Sequence, residues 1–146
     1  MKIYEGMITK LGKNEVYVFG SNPLGVNGNP KRRTGGAALW ALENAGVKQG
    51  EKMDNKLSKS RKAYGIVTVT KPGARRSLSS EEIIANIKLF YTFARKNRQL
   101  KFLLAYTHSG KTKTLNGYSG SELKKMFKKA SSRIPSNIYF NKNFMT

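Results

Sequence analysis

The sequence predicts an α/β protein: a mixed, mainly parallel sheet held between two layers of helix, a three-layer α/β/α sandwich spanning residues 1–146 as one domain. Three observations predict it. Short β-branched and aromatic runs recur at Glu15–Phe19, Gly65–Thr70, Leu100–Tyr106 and Ile138–Phe140, each bounded by turn-forming residues. Between them lie stretches of helical periodicity, near Gly36–Ala45, Ser79–Lys96 and Ser119–Ala130. Strands that alternate with helices pair in parallel, because each crossover returns the chain to the same edge of the sheet.

The elements follow in order. Met7-Ile8-Thr9 reads as a first strand, with Gly12-Lys13-Asn14 as the turn into Glu15–Phe19. Gly36–Ala45 is rich in helix-forming Ala and Leu and stops at Gly46, which suits the left-handed cap. Gly65–Thr70 is cut off by Pro72-Gly73. Ser79 with Glu82 makes a capping box, and Ile83, Ile87, Phe90 and Ala94 share one helical face to about Lys96. Leu100–Tyr106 is the central-strand candidate. Ser119 with Glu122 makes a second box ahead of Leu123, Met126, Phe127 and Ala130, and Pro135 closes that helix before Ile138–Phe140.

Composition narrows the function. The chain has no cysteine, which excludes disulfides, thiolate nucleophiles and Cys-based zinc or iron–sulfur sites. The single His108 leaves too few ligands for a His-based centre, so neither a metal nor a cofactor is expected. No uncharged stretch approaches the roughly 20 residues that span a bilayer, and no signal-like apolar run follows Met1, so a protein of the cytoplasm without a membrane partner is expected. Lys and Arg number 28 against eight acids, a net charge of +20. Folding does not require that imbalance and self-repulsion opposes it, so a polyanion or an anionic ligand is the expected partner.

Two polar loops follow strands at the carboxyl edge, where α/β sheets bind ligands. The first runs from Gly20 to Gly36. Gly20, Ser21, Asn22, Gly25, Gly28, Arg33, Thr34, Gly35 and Gly36 are its candidate ligand contacts, since glycines let a backbone approach a phosphate and helix N-termini attract one. Neither a P-loop nor a G-x-G-x-x-G fingerprint is present. The second runs from Thr107 to Ser119, with Thr107, Ser109, Gly110, Asn116, Gly117 and Tyr118 as candidates. Asn22 and His108 are the candidate catalytic residues, a water-orienting amide and an acid–base imidazole. Tyr118 either stacks on a ribose or base or packs under its own helix. Lys31, Arg32, Lys59, Arg61, Lys62, Arg75 and Arg76, with Tyr64 as a nearby exposed aromatic, suit a nucleic-acid backbone, although general solubilisation explains the same charges. The pairs Lys124-Lys125 and Lys128-Lys129 read as a solvated helix face.

The order of these parts resembles a known family. Gly6-Met7-Ile8-Thr9, then Val16–Asn22, then Thr34-Gly35-Gly36-Ala37-Ala38 resembles the opening of macro domains. Val18-Phe19-Gly20-Ser21-Asn22 with a later Gly117-Tyr118-Ser119-x-x-Glu122 helix start is similar to a small bacterial and phage-borne macro-like branch. The resemblance implies a three-layer fold that binds ADP-ribose or a related nucleotide, free or attached to a macromolecule, with hydrolysis of an ADP-ribosyl or phosphate bond in some members. It implies Asn22 near the distal ribose, Gly35 and Gly36 in one phosphate loop, Asn116, Gly117 and Tyr118 in the other, and a host cytoplasm if the gene is phage-borne. Met7 stands where such domains carry an acid that reads adenine, and no acid lies between Pro23 and Leu42. Two other classes of function fit the charge: a non-catalytic nucleic-acid-binding protein, and a small phage-type inhibitor of an acidic host protein.

Overall fold

The computed structural model describes residues 1–146. Ten elements alternate along the chain: β1 (Lys2–Tyr4), β2 (Glu15–Ser21), α1 (Ala37–Asn44), β3 (Lys56–Leu57), β4 (Ala63–Val67), α2 (Ser80–Lys96), β5 (Lys101–Leu104), α3 (Gly120–Lys129), β6 (Ile138–Asn141) and α4 (Lys142–Met145). The six strands form one sheet in the order β1-β6-β5-β2-β4-β3, parallel throughout except for β3. The sheet is therefore mixed and mainly parallel, with helices on both faces.

Alternation along the strands sorts the two layers. Val16 and Val18 of β2 face α2 and α3, joining Tyr64, Ile66, Phe102 and Leu104 in a core cluster of 20 buried residues. Tyr17 and Phe19 face the other way, toward Ala41 and Ala45 in a cluster of seven around α1. Tyr64 belongs to the first cluster. It is 1% exposed, its ring packs on Phe90 and Phe93, and its hydroxyl donates to Asn55 O at 3.0 Å, so it offers no surface to a nucleic acid.

The first strand is not Met7–Thr9. Lys2, Ile3 and Tyr4 pair with Tyr139, Phe140 and Asn141, and the Tyr4 hydroxyl donates to Leu104 O at 2.6 Å. Met7 is 85% exposed. Residues 5–14 return to the start of β2, with Ile8 and Leu11 packed on the smaller core. The helix before Pro135 also stops earlier, at Lys129, and Pro135 is buried in the turn that leads to β6.

Parallel strands make α1, α2 and α3 each start at the carboxyl edge of the sheet and end at its amino edge. Both capping boxes form: Glu82 N donates to Ser79 Oγ at 3.1 Å and Ser79 N to Glu82 Oε1 at 3.0 Å, with Ser119 and Glu122 repeating the pattern at 3.2 and 2.9 Å. At the far end of α2, Asn137 Nδ2 donates to the carbonyls of Ala94, Asn97 and Leu100 at 2.9, 3.2 and 3.1 Å, tying the turn after the helix to the turn before β6. No helix is long and apolar enough to cross a membrane.

Candidate functional site

β2 and β5 lie side by side, and the chain leaves them in opposite directions. From β2 it passes through α1 toward β4; from β5 it passes through α3, on the other face, to β6. The carboxyl ends of these neighbours are the switch point of the sheet, where the diverging connections leave a crevice. The two polar loops border it, and they meet: a methyl group on Gly36 would lie 3.6 Å from Leu115 Cδ1. At the foot of the crevice, Gly20 leaves a niche whose Cβ position is 2.9 Å from Thr68 Oγ1 and 3.5 Å from the Tyr106 hydroxyl. That hydroxyl is buried without a partner, and burial raises its pKa.

Much of the first loop is occupied in holding its own shape. Ser21 Oγ donates to Met53 O. Asn22 is 4% exposed; its Nδ2 donates to Val26 O at 2.8 Å and its Oδ1 accepts from Leu24 N at 3.0 Å, so both ends of the amide close a turn of the loop itself. Gly28 and Gly35 serve backbone contact: a Cβ on Gly35 would sit 2.4 Å from Gly28 Cα, and one on Gly28 2.7 Å from Leu39 Cα. Gly25 lies against Gly50 O. Asn29 and Thr34 exchange backbone bonds at 2.8 and 3.2 Å, which puts Lys31 and Arg32 at an exposed tip, while Arg33 pairs with Glu43 of α1.

The start of α1 is different. Gly36 is its N-cap, and no side chain caps the first turn, in contrast to α2, α3 and α4. Ala38 N donates to Gly35 O at 3.0 Å, so the Ala37 and Leu39 amides are the ones of the first turn left without a capping partner at the border of the crevice, with the positive end of the helix dipole behind them.

The second loop divides in two. Asn116, Gly117 and Tyr118 are buried and internal. Asn116 Oδ1 accepts from Tyr118 N at 2.9 Å and from Thr114 Oγ1 at 2.6 Å. Tyr118 packs beneath Arg76, whose guanidinium lies 4.2 Å from the ring centroid, and its hydroxyl donates to Leu78 O; it is not a free stacking platform. Thr107, His108 and Gly110 are exposed and Ser109 is half-buried, with space around Gly110. Thr107 O accepts from Asn143 Nδ2. A hollow of about 510 Å³ continues from there, lined by Gly6, Met7, Thr107 and Asn141 among others.

A third segment joins this edge, which the sequence did not signal. Arg76 N donates to Asn116 O at 2.7 Å, and its side chain contacts Glu122 at 3.3 Å and Gly117 O at 3.3 Å. The bond from the Ser119 backbone, then the Arg76 guanidinium, hold the Glu122 carboxyl down to about 2. Thr68, Tyr106 and Leu115 were also missed: strand parity aims the first two at the crevice floor, but only the strand order shows which loop they meet. The basic residues separate. Lys31, Arg32, Arg75 and Arg76 lie at the crevice edge, whereas Lys59, Arg61 and Lys62 precede β4 at the opposite edge. No three His, Cys, Asp or Glu side chains come together as a metal site. Compared with family models, curated proteins and solved structures, the chain matches none.

Proposed function

We propose that the crevice between the two loops binds a nucleotide of the ADP-ribose type through its phosphates. The observation that carries this reading is the uncapped start of α1 at Gly36, 3.6 Å in prospective Cβ distance from Leu115 of the facing loop. Helix amides in that state favour a phosphate. Lys31 and Arg32, exposed and free of carboxylate partners, stand on the same loop to cover it. From β2 across β5 and β6 to β1 is three strand spacings, about 14 Å. A ligand that runs from Gly36 past Thr107 to the hollow at Gly6 and Met7 is therefore elongated, as two rings joined by a pyrophosphate are. At that end Met7 offers an apolar contact where an acid would read the base.

Binding, not turnover, is the activity these residues support. Asn22 is bonded within its own turn, and no carboxylate stands between Pro23 and Leu42. Exposed His108 is the one imidazole at this edge.

Titration calorimetry with ADP-ribose, ADP and inorganic phosphate tests the reading on the chain and on Gly36→Ala and Gly36→Glu. The alanine variant controls for the side chain placed at φ +50°. The glutamate variant sets a carboxylate before amides whose two charge-assisted bonds are worth about 1.5–3 kcal/mol each. ADP-ribose binding should fall at least about 100-fold in Gly36→Glu relative to Gly36→Ala. Absence of heat at millimolar ADP-ribose, or equal affinity of the two variants, overturns the proposal.

A further inference from the structure

We infer that the amino edge of the sheet, opposite the crevice, is a binding surface for the phosphate backbone of a nucleic-acid duplex. The inference stands apart from the nucleotide reading, since it uses other residues at the other edge.

Strand order creates this surface. Lys59, Arg61 and Lys62 precede β4, Lys13 precedes β2, Arg98 precedes β5 and Arg133 precedes β6, and those four strands are consecutive in the sheet. Backbone bonds fix the neighbours: Tyr17 N donates to Lys62 O at 2.9 Å, Lys101 N to Asn14 O at 2.8 Å and Phe102 N to Asn137 O at 2.8 Å. Arg95 Nη2 reaches Arg133 O at 2.7 Å, tying the end of α2 to the turn before β6. Residues scattered over more than half of the chain thus form one row about 14 Å long. All six of these cations are exposed, and none pairs with a carboxylate.

The structural demand for positive charge at this edge is smaller than the supply. The C-termini of α1, α2 and α3 contribute about −0.5 each. Glu51 accepts from the backbone of Lys48 and Lys59, and Glu15 is paired with Lys101 at 3.6 Å. Dipoles and Glu51 together offset about 2.5 of six charges, before the further cations in the last turns of α2 and α3 are counted.

The chemistry selects the partner. Between β5 and β6 the edge opens into a notch of about 290 Å³ lined by Arg95, Arg98, Pro135, Ser136 and Asn137. Asn137 has its amide hydrogens committed to the carbonyls at the end of α2, so Arg95, Arg98 and the Ser136 hydroxyl are the groups there that suit phosphate oxygens. The notch has no aromatic, Leu, Ile, Val or Met anchor of the kind a protein partner fills. No aromatic residue is among the exposed large apolar side chains, and none lines the notch, so this edge presents no ring for unpaired bases to stack on. A backbone-reading, sequence-indifferent contact with a duplex remains.

The test is fluorescence anisotropy with a labelled 20-base-pair DNA duplex of arbitrary sequence and the full chain, between 50 and 200 mM salt. Six phosphate contacts give a log–log salt slope of about −5. The triple variant Lys62→Gln, Arg98→Gln, Arg133→Gln should flatten that slope by about 2.7. A control with the same charge loss at exposed positions off this edge, Lys52→Gln, Lys71→Gln, Lys88→Gln, should keep it within about one contact, or 0.9. Thermal unfolding of each variant confirms the fold. Equal effects of the two triples, a flat salt dependence, or tighter binding of polyglutamate than of the duplex each overturn the inference.

Discussion

Replacing Arg76 by alanine disconnects the segment after β4 from the second loop. The guanidinium lies 4.2 Å from the Tyr118 ring centroid, a contact worth about 0.5–1 kcal/mol near the surface. Its ion pair with Glu122 joins side chains 49% and 38% exposed, which limits it to about 0.2–1 kcal/mol. The bond to Gly117 O is long, at 3.3 Å, and adds less than about 1 kcal/mol. The backbone bond from Arg76 N to Asn116 O survives the substitution. The sum is about 0.7–3 kcal/mol, a fall of roughly 2–9 °C in Tm for a chain of this size. Urea and thermal unfolding of the chain, Arg76→Ala, Glu122→Gln and the double variant measure it. Glutamine keeps the capping box while removing the charge, so the coupling between the two sites isolates the ion pair, at under about 1 kcal/mol. The pH profile supplies the sign. Glu122 has its carboxyl lowered from 4.5 to about 2, so its contribution is complete above pH 4.5 and is lost as pH falls toward 2. The Ser119 backbone is the larger cause and Arg76 the second. Arg76→Ala should therefore shrink that acid-dependent loss without abolishing it, and Glu122→Gln should abolish it. Strict additivity of the two substitutions, together with an unchanged acid limb in Arg76→Ala, would refute the reasoning.

Two further outcomes concern stability. Asn137→Ala removes an amide whose two hydrogens are shared among three carbonyls at the end of α2, two of which also accept backbone bonds, and should cost about 1–3 kcal/mol, read as a lower urea midpoint; an unchanged midpoint would show that solvent serves those carbonyls as well. Tyr106→Phe deletes a buried hydroxyl that has no partner, so the midpoint should hold or rise. A loss above about 1 kcal/mol would reveal a bonded hydroxyl.

The parts of this molecule written in local residue chemistry were readable from sequence. Ser79 with Glu82 and Ser119 with Glu122 mark helix starts because the bonds they make lie within one turn. The interior strands announce themselves because burial on both faces demands apolar runs. Edge elements do not. Lys2–Tyr4 is solvated on much of its surface and carries no such run, so the more apolar Met7–Thr9 drew the assignment, and two-residue β3 is too short to leave a pattern. Tyr64 reads as exposed because basic residues precede it in sequence, yet it lies within a fully buried strand. At the candidate site, glycine content was visible, but its purpose was not: Gly35 makes room for Gly28, and Gly28 for the Leu39 backbone of α1. The basic stretch from Lys48 to Arg76 reads as one patch until strand β4 runs through it and sends Lys62 and Arg76 to opposite edges.

The pairing of β1 with β6 joins positions such as Gly6 and Asn141, 135 residues apart. During synthesis β6 must therefore emerge from the ribosome before β1 finds its neighbour, and until then β5 keeps an unpaired, apolar flank. Closing so large a ring costs only about 1 kcal/mol more than closing one a quarter of its size. The delay, more than the entropy, is the hazard. A nascent chain stalled short of residue 138 would be a sticky species and a natural client for chaperones.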